Sequence, residues 1–442
     1  MSDAISSSFG TFHPSRRVYR FTVLLFAALL TYGSYFAYDV VGALAPTLMD
    51  KWHTGQDGIG WLYTVYSVAA ILSVFVGGVL TDRIGTRRAS LLFSGLIVVG
   101  AAIVALAPSV LVATIGRFVF GAGSESLIVS QSAILARWFR GKELALSFGV
   151  TLAIARLGTL FSFNSASLVA NRFGWQAALW AAALLCLLSL VANLVYWALD
   201  KRGERILGLQ EAGAGDKIVL ADIRKFSASY WYVVALCVTF YSAIFPFTAL
   251  STDLFHEKWG LPLTTDVGGS FLAAVFRDFS HMFSTAPGTS SIIIFASMCF
   301  APFAGGLVDR IGRRGSLMIM GALLMIPSYL VVGFTMVPPW IPMLLLGAAF
   351  VLVPAAMWPA VPLIVEKNRV GTAFGLMTMI QNIGLALFPW RNGRLRVLTH
   401  TYESSMVMFA LLGATGLVFA ILLKRADARA GAPLEHPQRE AA

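Results

Sequence analysis

Twelve apolar runs, most of them about 20 residues or longer and so able to cross a bilayer as a helix, dominate this 442-residue chain and leave few folds open to it. They fall at about 20–49, 59–80, 88–107, 110–137, 143–170 and 174–199, then at 229–254, 289–308, 316–336, 339–364, 370–390 and 405–424. Charged residues make up 12% of the chain, against about a quarter in a soluble domain. That is too little polar sequence to coat a soluble helical protein of this size. The expected fold class is an all-α membrane protein with twelve transmembrane helices.

A short motif recurs between these runs. Residues 77–91 read GGVLTDRIGTRRASL and residues 305–317 read GGLVDRIGRRGSL. Placing Asp82 over Asp309 sets Gly78 over Gly305 and Arg83 over Arg310, an offset of 227 residues. Repetition at half the chain length predicts two similar halves. The expected organisation is a tail at 1–19, a six-helix bundle at 20–199, a polar linker at 200–228, a second six-helix bundle at 229–424 with an outer insertion at 261–288, and a tail at 425–442.

The formal charge is +11, but the basic residues sit in short loops, so they set orientation and do not point to nucleic acid. Arg16, Arg17, Arg20, Arg83, Arg87, Arg88, Arg137, Arg310, Arg313 and Arg314 all fall on one side if there are twelve spans, which predicts that both termini are cytoplasmic. The first apolar run leads straight into the next span and has no cleavage signal, so it is expected to be a helix of the protein. Cys186, Cys237 and Cys299 lie in apolar runs without ligand spacing and are expected to pack, not to bind metal.

Two stretches fit poorly. Residues 261–288 are long for a loop, and their FLAAVF segment from Phe271 suggests a short helix on the outer face. Residues 391–403 carry three arginines on the side where the charge rule expects few, which suggests a structured outer loop.

Charges inside apolar runs must face the bundle interior and are functional candidates. These are Asp39, Arg117, Glu125 and Arg156. Arg117, Gly121 and Glu125 recur every fourth residue and share one helix face. Glu125 and Arg156 either pair across a cavity or hold opposite ends of a zwitterion; the plain alternative is an ion pair that only joins two helices. Arg117 lies beside packing glycines and is assigned a structural role. Second-half candidates are Tyr241, the break at Phe245–Phe247, Trp358, Gln381 and Asn382. The repeated motif, with Gly78, Asp82, Arg83, Arg87, Asp309, Arg310 and Arg313, is expected to act as a conformational latch at the basic edge.

No P-loop and no zinc-protease pattern occurs, so no enzyme, cofactor or metal is expected. Movement of solute would then depend on a gradient. Glu125 and Asp39 are the carboxylates a proton-coupled mechanism would use. An Arg156 held beside Glu125 would keep it charged and favour passage without protons.

Both copies of the loop motif, with Arg117, closely resemble the major facilitator superfamily, and the resemblance extends over about residues 20–425. YGSYFAYD ending at Asp39, GRFVFGAGSES around Glu125, ARLG around Arg156, and the stretches from Leu199 to Ile206 and from Gln381 to Gly384 resemble a narrower branch. That branch comprises animal lysosomal dipeptide uniporters and their bacterial relatives. The resemblance implies two six-helix bundles and alternating access. It also implies that Glu125 and Arg156 contact dipeptide termini or charged side chains, with Tyr38, Asp39, Trp358 and Asn382 matching in less defined roles. The outer segments 261–288 and 391–403 depart from the branch.

The resulting expectation is a dipeptide uniporter, acting as a monomer in the lipid bilayer on dipeptides or similar small zwitterions without an accessory subunit. The alternatives are a proton-coupled symporter, a drug or metabolite exporter, and a non-transporting receptor or scaffold. An Ala- and Gly-rich chain without an acidic dileucine signal points to a bacterial inner membrane.

Overall fold

The computed structural model describes residues 13–139, 143–208, 226–265, 270–366, 369–432 and 434–436. The tail 1–12, the linker segment 209–225 and the end 437–442 lie outside the described residues. Within the described residues the chain forms fourteen helices and no strand. The first half contributes α1 (Arg17–Ala43), the short α2 (Ala45–Trp52), α3 (Gln56–Ile84), α4 (Thr86–Leu106), α5 (Val110–Phe139), α6 (Leu144–Phe173) and α7 (Trp175–Leu207). The second contributes α8 (Ala228–Trp259), the short α9 (Phe271–Ser280), α10 (Ala286–Ile311), α11 (Arg314–Phe334), α12 (Trp340–Ile364), α13 (Val370–Thr399) and α14 (Glu403–Arg429). Eleven of these are long and apolar enough to cross a bilayer, and α10 supplies a shorter apolar stretch over Ala286–Ala301.

The halves pack alike. In the first, α1 lies against α6 and α7, and α4 against α5 and α7. In the second, α8 lies against α13 and α14, and α11 against α12 and α14. Helices at the same place in each half choose the same neighbours, as the repeated motif predicts.

The bundles meet mainly along two seams, α3 with α13 and α6 with α10. The bonds that join the two bundles lie at mid-span or toward the far end, away from the basic loops. Asn164 of α6 donates to Ser291 of α10 at 2.9 Å. The Trp390 backbone N–H of α13 donates to Thr64 of α3 at 3.3 Å. Gln56 of α3 donates to Asp253 of α8 at 3.1 Å, and Asp253 also accepts the Tyr402 hydroxyl. Arg394 pairs with Asp57 at 3.6 Å. Glycine makes this approach possible. A Cβ added at Gly393 would lie 2.6 Å from the Asp57 Cα, closer than real side chains come. The far end is therefore closed.

Both awkward stretches are resolved here. Residues 391–399 are the last turns of α13 and not a loop. Two of their three arginines are tolerated on this side because acids face them: Arg394 meets Asp57, and Arg396 meets Glu257 and lies over the Tyr402 ring; Arg391 is exposed. The insertion does form a helix from Phe271. This α9 rests on α6 of the other half, with Phe279 beside Phe161 and Phe271 beside Phe173. Asp278 ties the preceding loop down by accepting from Thr264 at 2.8 Å and from the Thr265 backbone at 2.8 Å. The expected break at Phe245–Phe247 is absent, since α8 runs on through Pro246.

At the basic end, α7 continues past the expected start of the linker to Leu207, because its last turns are anchored. The fully buried Asp200 accepts from Arg137 at 3.0 Å and from the Trp138 indole at 2.7 Å. Arg87 bonds Glu204 at 2.5 Å and lies 3.6 Å from Asp200. The cluster joins α4, α5 and α7 of one bundle.

Two outcomes follow. Gly393→Val will separate α3 from α13 at the far end, seen as a longer spin-label distance, at an overpacking cost of about 1–3 kcal/mol; Gly149→Val, where a Cβ meets nothing within 4 Å, will leave that distance unchanged. Asp200→Ala strands the buried Arg137 and will lower unfolding stability by about 3–5 kcal/mol in detergent.

Candidate functional site

The interior charges predicted from sequence all lie on the inner helices, and each meets a different kind of partner. Arg117 on α5 is 1% exposed. Its guanidinium reaches the Ala37 carbonyl of α1 at 3.2 Å and the Leu62 carbonyl of α3 at 3.5 Å. Four rings surround it, with centroids 5.1 Å (Tyr38), 4.9 Å (Tyr63), 5.3 Å (Tyr66) and 5.5 Å (Phe120) away. Its Nη2 has no hydrogen-bond partner. Cation–π attraction takes that place, at about 2 kcal/mol or more per contact when water is excluded. Arg117 thus pins α1, α3 and α5 together.

Glu125 lies two turns along the same face of α5. Tyr66 links the two residues: its ring is part of the Arg117 cage, and its hydroxyl donates to Glu125 at 2.7 Å. Gly121 sits between them, and a Cβ there would lie 2.6 Å from the Tyr66 carbonyl oxygen. Its lack of a side chain lets α3 come close enough for the Tyr66 bond to form.

Arg156 on α6 points to the other half. It donates to Ser297 of α10 at 2.6 Å and lies 4.9 Å over the Phe350 ring of α12. Phe350 packs edge-on against Tyr241 and Phe245, and Trp358 donates its indole N–H to the Tyr241 hydroxyl at 3.0 Å. Arg156, Tyr241 and Trp358 therefore form one group across the two bundles.

No ion pair joins Glu125 to Arg156. Each has a neutral hydroxyl partner, and both are half-buried. The arginine expected to keep Glu125 charged is not its partner. The arrangement offers a carboxylate on the first half and a guanidinium braced on the second.

Other candidates stand apart. Asp39 is buried and accepts from Thr159 of α6 at 2.6 Å, tying α1 to α6. Tyr38 gives its ring to the Arg117 cage, and its carbonyl accepts from Tyr63 at 3.2 Å. Asn382 donates to the Thr378 carbonyl of its own helix at 3.1 Å, and Gln381 accepts from Cys237. Of the motif residues, Arg87 belongs to the basic-end cluster, while Asp82, Arg83, Arg310 and Arg313 are exposed. Gly78 is half-buried, and the side chain of Asp309 lies outside the described residues.

Tyr66, Ser297 and Phe350 escaped the sequence reading. For Tyr66 a signal exists: an arginine in an apolar helix needs electron-rich neighbours, and Tyr63 and Tyr66 are about one turn apart on α3. Ser297 and Phe350 carry no such signal.

Comparison with known proteins agrees with this architecture. The Major Facilitator Superfamily profile matches residues 24–389. The chain is 36% identical to the lysosomal dipeptide transporter MFSD1 of Danio rerio, across 85% of this chain and 80% of that protein. It is 32% identical to the Homo sapiens protein of the same name, across 97% and 90%. Among solved structures, a bacterial homologue of the human lysosomal transporter Spinster, inward-facing and occupied, aligns with a TM-score of 0.71 at 15% identity, covering 97% of this chain and 100% of that one. The peptide transporter POT in complex with alafosfalin aligns at 0.70 and 14% identity, covering 93% and 96%. At such identities the structural likeness shows the fold alone. The relatives correct one expectation. Multi-pass membrane placement holds, but the bacterial inner membrane does not, because the relatives matched over most of the chain are vertebrate proteins named as lysosomal. The chain belongs to the major facilitator superfamily, and is a membrane transporter of the alternating-access type and not an enzyme.

Proposed function

We propose that this transporter carries dipeptides, with Glu125 receiving the ammonium end and Arg156 the carboxylate end, and that it works as a uniporter. The observation that supports this most is that the two charges are separate and half-buried, and that each is held by neutral groups alone, Glu125 by the Tyr66 hydroxyl and Arg156 by the Ser297 hydroxyl and the Phe350 ring. A zwitterion can add an ionic contact at each without breaking an existing ion pair. The aromatic group of Tyr241, Phe350 and Trp358 beside Arg156 suits a side chain of the peptide. The names borne by the similar vertebrate transporters support the same class of solute. The repeated basic-end motif serves in this reading as the latch that biases the rocking of the bundles. Action as a monomer without an accessory subunit is part of the proposal.

A second reading is proton-coupled symport. One observation favours it: among the described residues Glu125 and Asp39 have no arginine or lysine partner, and both hydrogen-bond to hydroxyls.

Dipeptides will raise the thermal unfolding midpoint of the purified protein, and single amino acids or large apolar drugs will not. Glu125→Gln will weaken dipeptides about 10–100-fold, the worth of a charged hydrogen bond, while leaving N-acetylated dipeptides at their weak wild-type level. Arg156→Ala will do the reverse, sparing carboxyl-amidated dipeptides. No stabilisation by any dipeptide would refute the substrate class. In proteoliposomes dipeptide entry will proceed without proton movement; acid flux that depends on dipeptide would replace uniport with symport. Asp82→Ala will change the rate of exchange between inward- and outward-open states, and an unchanged rate removes the latch.

A further inference from the structure

The two halves differ at one place where the repeat would make them alike. A cavity of about 500 Å³ opens at the basic end, where the start of α4 meets the last turns of α7. Arg87, Arg88, Lys201, Glu204 and Arg205 line it, with Ile84 and Trp197. Arg87 and Glu204 are committed to each other and to the buried cluster with Arg137 and Asp200. Arg88, Lys201 and Arg205 are exposed and have no ion-pair partner among the described residues. Three uncommitted cations therefore converge on one cavity.

The 227-residue offset that carries Asp82 to Asp309 also carries Arg87 to Arg314 and Asp200 to Asp427. It carries Arg88, Lys201 and Arg205 to Gly315, Ala428 and Ala432. The second half has none of the three cations, so the fold does not require them. At that place the second half has an anion of its own. The chain turns back after α14, buries Leu434 completely, and sets the Glu435 carboxylate on the first turn of α11. That carboxylate accepts from the Ser316 backbone at 3.0 Å and the Ser316 hydroxyl at 2.9 Å, and Lys424 donates to the same hydroxyl at 2.7 Å. A Cβ at Gly315 would lie 2.7 Å from the Glu435 Oε1. Gly315 and Lys424 are the counterparts of Arg88 and Trp197, two residues of the first-half cavity.

We infer that the first-half cavity binds the phosphate of an anionic membrane lipid, in the position that the chain's own Glu435 takes in the second half. The face of α7 identifies the ligand as a lipid. Leu194, Trp197, Lys201 and Arg205 follow one another at helical spacing, from an exposed apolar residue through an aromatic one to two cations. This order matches that of acyl chain, glycerol and phosphate across a membrane interface.

The test uses the full chain in nanodiscs of phosphatidylcholine, with and without phosphatidylglycerol, read by thermal unfolding and by native mass spectrometry of retained lipid. Phosphatidylglycerol will raise the unfolding midpoint and stay bound. The triple variant R88A/K201A/R205A will bind it on the order of a hundredfold more weakly, from roughly fivefold per cation. Lys201→Gln alone, a milder change at an exposed site, will lose about fivefold. A charge-matched control, R310A/R425A/R429A, will keep wild-type binding. Equal loss in that control would mean diffuse attraction to a charged surface and overturn the site. Equal stabilisation by inorganic phosphate in the phosphatidylcholine discs would overturn the lipid assignment.

Discussion

A charge placed inside an apolar helix cannot be left to lipid, and the way each is satisfied organises the interior of this transporter. Arg117 draws carbonyls from α1 and α3 and four aromatic rings around itself, so three helices of the first bundle are held at one point. Asp39 takes a hydroxyl from α6 and adds a fourth helix. Both are satisfied within the first half. Glu125 and Arg156 are different, since both keep some exposure where Arg117 and Asp39 are buried, and Arg156 reaches across to Ser297 and Phe350 of the second half. The same rule thus separates charges that build the bundle from charges available to a solute. Tyr66 connects the two sets, with its ring in the cage and its hydroxyl on Glu125.

The two ends of the molecule use different physics. At the far end, backbone meets backbone across the bundles where Gly393 allows it, and Asp57 and Glu257 offset arginines that the charge rule would not place there. At the basic end, the firm contacts run within a bundle, through Asp200 in the first half and Glu435 in the second. Alternation between open states would have to part the first set while leaving the second intact. Helix α9 adds to the far-end closure, since it is tethered to the second half and rests on the first.

Much of this was legible in the chain. Twelve apolar runs without an alternative polar surface dictate a membrane protein, and the recurring Gly-Asp-Arg-Gly motif dictates two like halves. Interior charges announce themselves because burial makes them costly. The arginines at 394 and 396 were legible only as an anomaly, since their partners Asp57 and Glu257 come from remote segments. The helical break inferred from Pro246 did not occur, because a proline costs one backbone bond and neighbouring helices support α8 through it.

The sequence by itself determined the spanning helices, the two-fold plan and the identity of the buried charges, because each follows from local hydropathy, from the repeat or from the cost of burying an ion. Only the tertiary structure decided which charge meets which partner. Spacing and chemistry alone left Glu125 and Arg156 either to pair across a cavity or to hold opposite ends of a zwitterion, whereas in the fold one bonds Tyr66 and the other Ser297. Helix packing sets which side chains come within bonding reach, and that geometry has no periodicity in the chain to betray it.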